Sequence, residues 1–142
     1  SVVIRRVLAP PPGFHARYSA TGRHYRYRLT LEPVACGRSY VWHARVPLVQ
    51  ARLRRCAATL PGDHRFGSFC IAKSASRGTR CQVYSAAWRR RERELHFDIH
   101  ANRFVHGMVR SLVGGMVQVA AGRDTLAGFE QRLHRGMPRG AG

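Results

Sequence analysis

Residues 104–121 constrain the fold of this chain more than any other stretch. They carry the spacing of a helix whose main stripe is Val105, Val109, Leu112, Met116 and Val119, and the remaining sides are nearly as apolar. A helix apolar on almost every side is stable only when buried, so other parts of the chain must wrap it. Gly114 and Gly115 within it leave a place where another backbone can approach.

The covering elements follow from shorter patterns. Between 22 and 32, Tyr25, Tyr27, Leu29 and Leu31 alternate with His24, Arg26, Arg28 and Thr30, which predicts a strand with one aromatic and one cationic face. Residues 82–91 and 94–101 predict a hairpin, with Leu95, Phe97 and Ile99 alternating against His96, Asp98 and His100. Two further strands are expected at 2–8, which is β-branched but broken by Arg5 and Arg6, and at 66–71. Pro10, Pro11, Pro12 and Gly13 form a stiff connector. Pro47 opens a helical stretch that runs to Leu60 and stops at Pro61-Gly62. A last, weaker helix is expected from Thr125 to Arg135, ahead of a basic, Gly-rich tail of disordered character. The fold class is α+β: a mixed or antiparallel sheet with helices packed on one face. The main domain is read as 1–122, with the terminal helix and tail at 123–142.

A chain of 142 residues with 44% hydrophobic content suits one compact domain. Without a bilayer-length apolar run or a charged-then-apolar leader, it reads as soluble and cytoplasmic, with no membrane partner. It opens on Ser1, and its first residues resemble the middle of a domain, as expected for a piece of a longer protein. Twenty-five Lys and Arg against seven acids give a net charge of +18, and Lys73 is the only lysine. Arginine forks grip phosphate oxygens and stack on bases, so the balance points to nucleic acid bound in a salt-dependent way. GC-rich coding sequence is the bland explanation for the same excess. Cys36, Cys56, Cys70 and Cys81 form no C-x-x-C pair, and His96 with His100 lacks further ligands in register, so no metal or cofactor is expected.

Two residues stand out. Arg110 lies inside the apolar helix, where a guanidinium must find a partner or reach water. An ordinary arginine there snorkels to the surface or holds a phosphate. But this helix is expected to bury most of its circumference, and Arg110 with it. The chain's few carboxylates offer Asp98 as a partner, and a carboxylate from outside the chain is the sharper expectation. Tyr25 sits in Gly22-Arg23-His24-Tyr25-Arg26-Tyr27-Arg28, where rings alternate with cations as in binders of single strands and flipped bases. Taken alone, Tyr25 and Tyr27 are more simply core residues on the inner face of a strand.

Several blocks together resemble the tRNA pseudouridine synthase A family, downstream of its N-terminal half. These are Phe14-His15-Ala16-Arg17-Tyr18-Ser19-Ala20-Thr21 with Arg23-His24-Tyr25-Arg26-Tyr27, then Leu60-Pro61-Gly62 leading to Phe66-Gly67-Ser68-Phe69. Arg80 follows before the hairpin, and Ala101-Asn102-Arg103-Phe104-Val105-His106-Gly107-Met108-Val109-Arg110 leads into Val113-Gly114. They keep order and spacing across 2–122. The resemblance implies the C-terminal half of the pseudouridine synthase fold and an isomerase without cofactor or metal. Such an enzyme cleaves uridine's N-glycosidic bond, turns the uracil and rejoins it through carbon, on the 3′ side of the tRNA anticodon stem-loop and typically as a homodimer. It implies that Tyr25 stacks on the target uracil, that Arg110 pairs with the catalytic aspartate, and that Arg17, Arg23 and Arg80 contact the substrate.

The departures bear on activity. The family's nucleophile lies in a Gly-Arg-Thr-Asp motif that this sequence does not contain, and Asp63, Asp98 and Asp124 lack its context. Arg65 stands where the family usually has Asp, and the family's strand after the last helix has no counterpart. The expectation is a tRNA pseudouridine synthase fragment, inactive without the missing N-terminal half. Its alternatives are a non-catalytic RNA-binding module and one half of a split enzyme.

Overall fold

The computed structural model describes residues 2–16, 18–35, 37–71 and 78–135. Five strands form one sheet: β1 (Arg23–Thr30), β2 (Trp42–His43), β3 (Gly62–Arg65), β4 (Arg80–Arg91) and β5 (Glu94–Ala101). Their order is β2-β1-β5-β4-β3, with β1 and β2 parallel and every other pair antiparallel. Three helices complete the fold: α1 (Gln50–Ala58), α2 (Met108–Ala120) and α3 (Leu126–Arg135). The class is α+β, as the patterns predict.

The period-2 alternation sets which sheet face is covered. Along β5, Leu95, Phe97, Ile99 and Ala101 are buried while the residues between them stay half-exposed. The predicted hairpin closes at Glu92-Arg93, with Glu92 in the left-handed region (φ 52). In β4 the pairing shifts between Val83 and Ser85, leaving Tyr84 as an extra residue. Such a bulge reverses the phase of a strand, so Cys81 and Val83 are buried before it and Trp88 after it. The Trp88 indole N–H donates to the Met116 thioether at 3.3 Å, which ties the sheet to α2.

The apolar helix is the centre of the core. Leu112 and Met116 are fully buried, and Val113, Val117 and Val119 nearly so. Phe129 and Leu133 of α3 join the same core. The close approach expected at Gly114 and Gly115 is made by rings rather than by backbone. A Cβ on Gly115 would sit 3.2 Å from Phe129 and 3.5 Å from Phe69, whereas one on Gly114 would meet nothing within 4 Å.

Several expectations need correction. Residues 2–8 form no strand, and Val2, Val3, Ile4 and Val7 are widely exposed. β-branched residues make a strand only beside a pairing partner, and no described strand adjoins them. Residues 66–71 contain a 3-10 turn, Gly67–Phe69, that aims Phe66 and Phe69 into the core. The strand instead precedes it as the short, polar β3, which carries no apolar run to betray it. Leu31 lies one residue past the end of β1. Helix α1 begins three residues after Pro47, because Val49 is extended and its N–H donates to the Ala120 carbonyl at 3.1 Å. Helix α2 begins at Met108, because Gly107 takes φ 80. The expected basic tail lies outside the described residues from 136 onward.

Candidate active-site hollow and nucleic-acid surface

On strand β1 the aromatic face grades from open to buried. Tyr25 is 51% exposed, Tyr27 is half-buried and Leu29 is fully buried. Leu29 lies in the core and Tyr27 packs against it, whereas Tyr25 meets Phe104 at the open end of the strand. Burial pushes the Tyr27 phenol above its ordinary range, and the positive charge of Arg110 pulls it the other way. Arg110 therefore acts on the same strand face.

Tyr25 and Arg110 share a hollow of about 270 Å³ whose floor is the turn from Phe104 to Gly107 and the start of α2. Three contacts pin this turn. The Ile71 N–H donates to the His106 carbonyl at 3.0 Å, Ile71 packs where a Cβ on Gly107 would sit, and Phe104 meets Tyr25 edge to face. Asn102 secures the strand ends below: its backbone and side chain exchange hydrogen bonds with Gln82, each at 3.0 Å, and its carbonyl accepts from Arg23 at 3.2 Å.

Arg110 is exposed, which corrects the expectation of a buried guanidinium. A helix running from 104 would have placed it mid-helix among core residues. With the start at Met108 it lies in the first turn, at the hollow it shares with Tyr25. Asp98, its possible partner within the chain, is taken by Arg26 at 2.6 Å and Arg89 at 3.7 Å, and Arg110 has no ion pair among the described residues. The first turn of α2 holds no acid and no side-chain cap. The Met108 N–H is taken by the Val105 carbonyl at 3.1 Å, and the positive helix end, joined by Arg110, makes a mouth suited to an anion.

The other expected contacts are less gathered. Arg23 lies on β1 two residues before Tyr25 and on the same face. Arg80 is two strands away at the start of β4, where it holds Asp63 through two nitrogens at 2.8 and 2.9 Å. That contact draws the Asp63 carboxyl below the usual range. Arg65 stands directly opposite Arg80 in the β3–β4 ladder, so Asp63 neutralises a pair of facing like charges. Arg17 lies outside the described residues.

The uncovered sheet face is polar and cross-linked. Glu94 accepts from Arg28 at 2.6 and 2.8 Å and pairs with His96 at 2.8 Å, and these contacts hold its carboxyl down at about 2. His24 and His100 stack with centroids 4.0 Å apart. Among the described residues no three His, Cys, Asp or Glu lie together as a metal site, and no helix is long and apolar enough to cross a membrane. Burial of Cys56 pushes its thiol up to about 11.

Reading the sequence alone missed Phe104 as the brace of Tyr25, and missed Trp42, 40% exposed beside Tyr27. Phe104 stands within the Ala101-to-Arg110 motif, but nothing in that motif says which ring it meets. Trp42 lies in a two-residue strand too short to show alternation.

Comparison with known proteins fits this geometry. A family model described as tRNA pseudouridine synthase matches residues 56–141. The tRNA pseudouridine synthase A of Chlorobaculum tepidum is 37% identical over 136 residues, covering 96% of this chain and 55% of that protein. Its namesake from Halalkalibacterium halodurans is 39% identical over 115 residues, covering 80% and 44% respectively. The Chlorobium luteolum protein of that name is 40% identical over 120 residues, covering 84% and 47%. The chain spans about half the length of these curated relatives. With a family match over more than half its residues, the chain belongs to the tRNA pseudouridine synthase family.

Proposed function

We propose that this chain supplies the uridine-holding side of a tRNA pseudouridine synthase whose nucleophile comes from polypeptide outside it. One observation carries this reading: Tyr25 and Arg110, far apart in sequence, line one open hollow with no carboxylate in its walls. In the reaction, the bond from the ribose to N1 of uracil breaks, the base turns, and a bond to C5 replaces it. The C5 proton leaves and N1 gains one. The chain's task is to hold the turning ring and the attacking carboxylate. Tyr25 offers a ring face for a flipped base. Arg110 and the open end of α2 keep an arriving aspartate ionised, hence nucleophilic. Arg23 and Arg80, with Arg17 from the adjoining motif, are assigned to the RNA backbone. The same reading pairs two copies of the whole protein and places it with tRNA in the cytoplasm.

The test is to purify the chain and measure release of the C5 proton from uridine in tRNA, with and without a polypeptide carrying the upstream Gly-Arg-Thr-Asp region. Activity is expected only with both. Turnover by the chain alone would place the nucleophile within it. Inactivity of the pair, with RNA binding intact, would favour a non-catalytic binding module.

A further inference from the structure

We infer that a second hollow, at the opposite end of β1 from Tyr25, is a phosphate-gripping contact for RNA. It has a volume of about 610 Å³, and Arg38, Arg45 and Arg123 stand around Trp42 and His43. This inference deepens the proposed function by giving the bound RNA a second point of attachment.

The hollow is built on fixed backbone. The Ala44 N–H donates to the Thr30 carbonyl at 2.9 Å, and Trp42 pairs in register with Leu29. The Val49 N–H ties the end of this loop to the Ala120 carbonyl. Arg123 is set by the helix terminus: Gly122 takes φ 75, the Gly122 N–H donates to Val119 at 3.1 Å, and the Arg123 N–H donates to Gln118 at 2.9 Å. These two bonds are the paired C-terminal cap of a helix that ends in a left-handed glycine.

The charge is one-sided. The walls hold three guanidiniums and no carboxylate. Glu32 and Asp124, the acids flanking the hollow in sequence, are turned to Arg93 and Arg132. Three cations lining one hollow with no carboxylate in its walls attract a polyanion, which binds them while releasing its own counterions. Trp42 adds a half-open ring for a base or ribose. A third hollow, of about 290 Å³ and lined by Arg26, Tyr27, Arg28 and Tyr40, shares Trp42 with this one and continues along β1. At about 3.3 Å per residue, Tyr25 and the register position of Trp42 lie about 13 Å apart, the rise of roughly four stacked base pairs. The spacing suits one RNA strand touching both ends.

The test uses the whole chain, a uridine-containing RNA stem-loop, and tryptophan emission. Of the two tryptophans Trp88 is buried, so quenching by acrylamide reports on Trp42. RNA binding, followed separately by anisotropy, is expected to shield Trp42. The triple variant Arg38→Gln/Arg45→Gln/Arg123→Gln is expected to lower the slope of log affinity against log salt by about 2–3, at roughly 0.7–0.9 per lost phosphate contact. A control removing equal charge at exposed Arg54, Arg90 and Arg135 should change the slope less. Equal effects of the two triples, or bound RNA that leaves Trp42 quenchable, would overturn the inference. Shielding of Trp42 by the upstream polypeptide without RNA would overturn it too, making the hollow a protein interface. If the triple variant does not fold, the shielding measurement on the unaltered chain decides alone. The assay needs no catalysis, so a chain that binds RNA here but yields no pseudouridine even when joined by the upstream polypeptide would refute the functional reading and leave this inference standing.

Discussion

Phe104 meets Tyr25 edge to face, with ring centroids 5.0 Å apart and planes at 78°. One ring comes from a strand and the other from the turn before α2, so the contact fixes the Tyr25 plane while leaving half of its surface open. Base stacking is worth about 1–3 kcal/mol per base, and an aromatic pair about 0.5–1.5 kcal/mol. Tyr25→Ala should therefore weaken binding of a uridine-containing stem-loop most, Phe104→Ala less, and Tyr25→Phe least, as measured by fluorescence anisotropy. An unchanged affinity in Tyr25→Ala would end the stacking role.

Arg110 lies in solvent at the mouth of the hollow, so its loss should change folding stability little, within about 0.5 kcal/mol in a urea melt. Catalysis by the complemented enzyme should suffer far more. Losing a cation that faces a reacting charge costs about 10²-fold or more. Arg110→Gln should also move the acid limb of the pH–rate profile upward, because the cation holds the nucleophile's carboxyl down. A purely structural arginine would leave that limb in place.

The sheet was legible where residues alternate for long enough. The aromatic and cationic strand and the second hairpin arm follow directly from period-2 spacing, because each keeps one face against the helices, whereas the first arm changes phase at Tyr84. The short strands β2 and β3 were not legible, having too few residues to show a period and no apolar run. The candidate site was legible as Tyr25 and Arg110 through a motif resemblance, but the setting of Arg110 was not. Its exposure hangs on Gly107 adopting φ 80, which delays α2 by one turn, and apolar spacing carries no trace of that. The three arginines around Trp42 are scattered in sequence and meet only through a parallel pairing and a helix cap.

Adjacent glycines in α2 should respond in opposite directions. Gly114→Ala fills open space on a helix and should stabilise the chain by about 0.5–1 kcal/mol. Gly115→Ala presses a methyl group against the fully buried Phe129 ring, and such overpacking costs about 1–3 kcal/mol, outweighing the gain in helix propensity. Urea midpoints should rank Gly114→Ala above the parent and Gly115→Ala below it. A stabilised Gly115→Ala would mean that Phe129 can move aside.

Glu94 links acid stability to the uncovered sheet face. Its folded value of about 2 lies below its ordinary 4.5, so its contribution is complete above about pH 4.5 and is lost as pH falls towards 2. Solvent screening keeps the effect below about 1 kcal/mol. Glu94→Gln should flatten the melting temperature between about pH 5 and pH 3 relative to the parent. An unaltered pH dependence would show that Arg28 and His96 stabilise nothing through this carboxylate.

The outer margin of β1 has a consequence for handling the chain. Strand β2 pairs with Leu29 and Thr30 only, so from His24 to Arg28 no described strand adjoins that side. Open main-chain margins template growth by further strands unless charge keeps neighbours away. Arg26 and Arg28 on this margin are already paired with Asp98 and Glu94, so the guard is the net charge of +18. An RNA that neutralises it removes the repulsion along with its counterions. Light scattering from the chain mixed with substoichiometric RNA should therefore rise above that of either component, then fall once excess RNA recharges each particle.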